Sequence, residues 1–120
     1  MPPSPRFSTI YSALREESSK SELADEFEVS LETTHHGPVL TKPTLYLEIG
    51  STESEWIRKD AAKVWAAVIS RVLGLSDKSP EGEWFGEGDV MIGLGGGHYA
   101  PRHSDIAIPV SYTHLRAHET

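Results

Sequence analysis

Apolar and polar residues alternate from Glu26 onward, with Phe27, Val29 and Leu31 set against Glu28, Ser30 and Glu32. A period of two predicts a β-strand with one face in water, toward the edge of a sheet. Residues 43–50 (PTLYLEIG) predict a second strand, with Leu45, Leu47 and Ile49 on one face and Tyr46 and Glu48 on the other. The period then lengthens: Trp56, Ile57, Ala61, Val64, Trp65, Val68, Ile69 and Val72 recur every three or four residues. That spacing predicts one helix of about 22 residues, opened by a T-x-x-E box of Thr52 and Glu55 and stopped at Gly74. Residues 75–88 form a polar connection, and residues 89–94 predict a third strand. Residues 1–25 are rich in Pro and Ser, with a weak helical pattern around Ile10 and Leu14, and are expected to be a disordered or weakly helical lead-in.

Strand, helix, strand in that order predicts a βαβ crossover with its two strands parallel, hence an α/β fold with a mixed or parallel sheet. Ligands bind beyond the carboxyl ends of the strands in such sheets. Residues 48–51 and 95–103 would then share one rim. The length allows one domain at most. It is placed at residues 26–109, as an incomplete fragment of a larger domain. Residues 110–120 (VSYTHLRAHET) continue neither period and resemble translated sequencing-adapter read-through. They are therefore set aside from the fold, together with His114 and His118.

Composition narrows the chemistry. The chain is 38% hydrophobic and 24% charged, ordinary for a soluble domain, and has no cysteine. Disulfides and thiolate metal sites are thereby excluded, leaving His, Asp and Glu for any metal. A net charge of −7 argues against an extended basic surface for nucleic-acid phosphates, so DNA is not an expected partner. Neither a membrane-spanning run nor a signal-peptide h-region is visible, and a cytoplasmic location without membrane partners is expected.

Three stretches concentrate the unusual residues. In GLGGGHYAPRH (93–103) an apolar run ends in Gly95, Gly96 and Gly97, then His98, Tyr99, Arg102 and His103. Consecutive glycines let a backbone with outward N–H groups approach a ligand; for the glycines alone, a turn with a space-filling histidine is the plainer reading. A dinucleotide or P-loop fingerprint does not fit the spacing, and Pro101 is expected to bar an immediate helix. In THHGP (34–38) His35 and His36 reach a common point only if the chain turns at Gly37 and Pro38; two solvated loop histidines are the plainer reading. Glu48 is a functional candidate if its strand is central, and merely solvated if its strand is an edge.

THHGP, LEIGSTESEW (47–56) and GLGGGHYAPRH, taken together, resemble the archaeal and plant type of D-aminoacyl-tRNA deacylase over about residues 26–108. The resemblance implies an α/β protein that hydrolyses the ester joining a D-amino acid to tRNA, with zinc as cofactor, in chains much longer than this one. For that chemistry His35, His36 and His98 are the expected metal ligands, and His98 and Glu48 the expected catalytic groups. Backbone N–H groups of Gly95, Gly96 and Gly97 would hold the oxyanion. Tyr99 would stack on the terminal adenine, and Arg102 and His103 would bind the rest of the acceptor end. A non-catalytic module for a small anion or nucleotide, or an inactive truncated fragment, are the alternatives.

Overall fold

Two helices meeting along one apolar seam build the first of two core clusters among the described residues. The computed structural model describes residues 2–33, 37–50, 52–76, 79–94, 97–107 and 114–118. Helix α1 (Phe7–Lys20) lies in the stretch expected to be a disordered or weakly helical lead-in, and it is an ordered 14-residue element. Its Ala13 is fully buried against Val68 and Val72 of α3 (Lys59–Leu73), with Ile10, Leu14 and Trp65 closing the sides. A lone helix of this length is marginal in water, so the burial of this stripe is what stabilises α1. The weak sequence signal has the same origin: the C-terminal half of α1 is polar, and its apolar stripe is short. Arg71 of α3 reaches across to Glu16 at 2.7 Å and Glu17 at 3.3 Å, and it also pairs with Glu81. Arg6 bonds the carbonyls of Val72 at 3.4 Å and Glu81 at 3.3 Å. These polar ties are partly exposed and set register more than they add stability.

The single helix expected from residue 52 to 74 is broken. A short α2 (Glu53–Trp56) is followed by Ile57 and Arg58 before α3 begins at Lys59. Arg58 is extended (ψ 113°), and its guanidinium bonds Asp60 at 2.7 and 3.1 Å, pairs with Glu26 and lies 5.2 Å from the Phe27 ring centroid. Asp60 in turn accepts from the Ala61 N–H at 2.9 Å, one of the open donors at the start of α3. The break therefore answers a contact with residues 26–27, more than thirty positions away, which no helical period encodes. Trp56 and Ile57, assigned to the buried stripe, are exposed (59% and 82%). Thr52 and Glu55 meet side chain to side chain at the start of α2, but the Thr52 hydroxyl makes no cap bond to the helix backbone, so the expected box is not formed in full. Gly74 ends α3 in the left-handed conformation (φ +64°), as expected.

The chain is a mixed helix and strand domain. Strand β1 (Val90–Leu94) forms where the third strand was expected. Its parallel partner, however, is β2 (His114–His118), in the register Val90 opposite His114 through Leu94 opposite His118. The connection between them contains α4 (Pro101–Ala107). The expected crossover through the long helix is thus not observed, and residues once set aside from the fold supply the second strand. Residues 43–50 are irregular, with one bridge, between Thr44 and Pro3. Residues 26–32 are not a strand either, yet the alternation survives as burial: Leu31 is buried and Val29 half-buried, while Glu26 and Glu28 are exposed. Leu31 joins Tyr11 and Ala100 in the second core cluster, flanked by Phe7, Val29 and Met91. Among the described residues no helix is long and apolar enough to cross a membrane.

Candidate functional site

Residues 31–33 lie along the turn that leaves β1. Leu31 N–H donates to the Ser104 hydroxyl at 3.2 Å, and Thr33 N–H donates to the His98 carbonyl at 3.2 Å. Alternate residues of an extended segment point to opposite sides. Leu31 and Thr33 are buried, and Glu32 between them turns the other way, its Oε1 lying 2.5 Å from His98 Nε2. The two side chains are 30% and 39% exposed, so the pair sits at the surface with one flank dry.

The turn that presents His98 is strained on purpose-built backbone. Gly97 takes φ +80°, and its carbonyl accepts from Ala100 N–H at 3.2 Å. Ala100 itself has φ +41°, a conformation that costs an L-residue about 1–2 kcal/mol. Complete burial of its methyl against Tyr11 and Leu31 offsets part of that cost. Pro101 then opens α4 rather than barring it. At the first helical position proline loses only an N–H that no helix would use, and its fixed φ is already helical.

Beside His98, Tyr99 presents its ring edge-on at 4.7 Å between centroids (72°) and is half exposed. Leu94, Pro101, Arg102 and His103 line an open groove of about 230 Å³ at the end of β1. The His103 ring rests on Gly93: a Cβ there would come within 2.7–2.8 Å of three ring atoms. A glycine inside β1 is thus explained by close approach of a side chain. Farther along, the Tyr46 ring covers Gly37, and its hydroxyl donates to the Pro38 carbonyl at 2.8 Å, pinning the turn that ends THHGP.

Glu48, expected as the carboxylate of the site, is exposed on the irregular stretch 43–50, and its carbonyl accepts from the Trp65 indole at 3.1 Å. The carboxylate that the structure brings to His98 is Glu32. The sequence had placed Glu32 on the wet face of its segment, which is correct, but a period of two does not say which distant residue meets that face. His35, His36, Gly95 and Gly96 lie outside the described residues. Among the described residues no group of three His, Asp or Glu is placed to hold a metal ion. A zinc site needs three or four protein ligands, so His98 and Glu32 alone do not fit one.

Beneath the pair, the Tyr11 hydroxyl is buried and makes no hydrogen bond of good geometry among the described residues. Burial pushes its phenol above the ordinary tyrosine range, and the neighbouring Ser104 hydroxyl offsets part of that rise.

A family model described as D-aminoacyl-tRNA deacylase matches residues 1–119. The chain belongs to the D-aminoacyl-tRNA deacylase family. It is 48% identical over 109 residues to the D-aminoacyl-tRNA deacylase of Arabidopsis thaliana, covering 88% of this chain and 34% of the relative. The corresponding protein of Archaeoglobus fulgidus is 38% identical over 113 residues, covering 92% of this chain and 37% of its own. That of Methanococcoides burtonii is 44% identical over 91 residues, covering 73% and 17%. The chain thus spans about a third of the length of the first two curated deacylases, and the resemblance read from its three motifs is borne out. No solved structure matches the chain.

Proposed function

We propose that this chain carries the hydrolytic centre of a D-aminoacyl-tRNA deacylase, cleaving the ester between a D-amino acid and the tRNA terminus. The observation that supports the reading best is the contact of His98 Nε2 with the Glu32 carboxylate at 2.5 Å. An ionised carboxylate accepts only, so Nε2 carries the proton and Nδ1 becomes the basic nitrogen of the neutral imidazole. In this reading Nδ1 takes a proton from water as the water oxygen attacks the ester carbonyl carbon. The tetrahedral intermediate then expels the ribose oxygen, which takes that proton back from His98, and free D-amino acid leaves tRNA behind. Backbone N–H groups of the 95–97 stretch would hold the oxyanion, each donor worth about 3 kcal/mol in comparable acyl-transfer sites.

Tyr99, half exposed beside His98, offers a face for the terminal adenine, and Arg102, exposed at the groove, a cation for a backbone phosphate. Contact with the acceptor end alone reconciles a tRNA substrate with a net charge of −7. Zinc is a separate proposal, with His35, His36 and His98 as donors in place of the base role of His98 Nδ1, since a neutral imidazole has one lone pair to give, and metal content of the purified chain tests it. Likewise we place the protein in the cytoplasm, and β1 with its parallel partner in a larger α/β sheet with a βαβ crossover.

The test is release of D-Tyr from D-Tyr-tRNA by this chain. His98→Ala is expected to lose about 10²–10⁴-fold in rate, the usual worth of a positioned acid–base group. Wild-type rates in that variant, or no release by the unsubstituted chain, would overturn the proposal.

A further inference from the structure

Neither Glu32 nor His98 sits on a strand or helix of its own. A pair held at 2.5 Å from two irregular segments needs something to set the distance between their backbones. Among the described residues, four hydrogen bonds do so. Two come from a single hydroxyl: Ser104 Oγ accepts from Leu31 N–H at 3.2 Å and donates to the Ala100 carbonyl at 3.1 Å. The other two run from Thr33 to the His98 carbonyl, from its N–H at 3.2 Å and from its hydroxyl at 3.5 Å. Glu32 is therefore bracketed on both sides, by Leu31 through Ser104 and by Thr33 through His98 itself. Ser104 is 8% exposed and also donates its own N–H to Ala100 at 2.9 Å, so α4 serves as the fixed frame for the bridge.

We propose that Ser104 is a positioning residue for the His98–Glu32 pair, its hydroxyl spanning the segment that carries the carboxylate and the turn that carries the imidazole. The inference rests on the catalytic reading of that pair, but it is tested without turnover. A short carboxylate contact at Nε2 favours the neutral-imidazole tautomer that carries its proton there. If the two segments drift apart, that preference is lost and both tautomers become populated.

The experiment is long-range ¹H–¹⁵N NMR of His98 in the whole chain at about pH 8.5, above the ordinary range of imidazole titration. His98→Ala assigns the signals. The unsubstituted chain is expected to show the Nε2–H form alone, and Ser104→Ala to gain a resolvable share of the Nδ1–H form that an unrestrained imidazole populates. Ser104→Thr, which keeps a hydroxyl, is expected to restore the single form. A wild-type tautomer ratio in Ser104→Ala would overturn the proposal. Should Ser104→Ala not fold, Ser104→Cys decides: it keeps the shape of serine while bonding only weakly through sulfur. A wild-type ratio in the cysteine variant overturns the proposal, and a mixture supports it. Because no substrate is present, a failed deacylation assay and a failed tautomer test remain separate results.

Discussion

Val68→Ala tests whether α1 truly belongs to the core, because its sign depends on that docking. Val68 has no exposed surface and lies against Ala13, with Ile10, Leu14 and Trp65 around the contact. The substitution removes two methyl groups, about 1.6 kcal/mol of transfer free energy at about 0.8 kcal/mol per buried carbon. The cavity left behind raises the loss to about 2–3 kcal/mol, since the neighbours relax only in part. Alanine, the better helix former, returns about 0.6 kcal/mol. The net is a loss of about 1.5–2.5 kcal/mol, a large share of the 5–15 kcal/mol typical of a folded domain. If α1 were a frayed leader, Val68 would face water, the transfer and cavity losses would vanish, and the helix preference alone would make the variant neutral or slightly more stable. Urea unfolding followed by Trp fluorescence reads the difference directly. A variant as stable as the parent would refute the α1–α3 seam.

Gly93→Ala drives a methyl into the His103 ring, which must move out of contact. The cost is expected at about 1–3 kcal/mol, typical of overpacking, and the ring-proton resonances of His103 are expected to shift; unchanged resonances would mean that the ring does not rest there. Asp60 is held below the ordinary carboxylate range chiefly by its hydrogen bonds to the Arg58 guanidinium. A depressed pKa contributes stability that is present above the unfolded value, near pH 4, and lost as pH falls through the folded value. Asp60→Asn is therefore expected to flatten the acid limb of a stability–pH curve below about pH 4, and an unaltered limb would show that Arg58 does not hold this carboxylate.

The family, one strand and the C-terminal stop of one helix were legible because each rests on neighbouring residues. Val90 to Leu94 reads as a strand and is one; Gly74 reads as a stop and is one. The three motif stretches carried the family without any knowledge of how they meet. Also legible was which side of residues 26–32 would be dry, since burial follows the alternation even where no ladder forms.

Pairing was decided elsewhere. A period of two names the wet face of a segment but not its neighbour, so the sequence offered Glu48 as the carboxylate and the structure brought Glu32 to His98. In the same way β1 took residues 114–118 rather than 43–50 as its parallel partner, and Arg58 left the helix to meet Glu26. Proline showed the limit of a local rule: Pro101 breaks a helix from within, yet as the first residue of α4 it starts one. Local preference is a free energy of tenths of a kcal/mol per residue, whereas a buried seam such as Ala13 on Val68 and Val72 supplies several at once. Where the two disagreed in this chain, the contacts between distant segments prevailed.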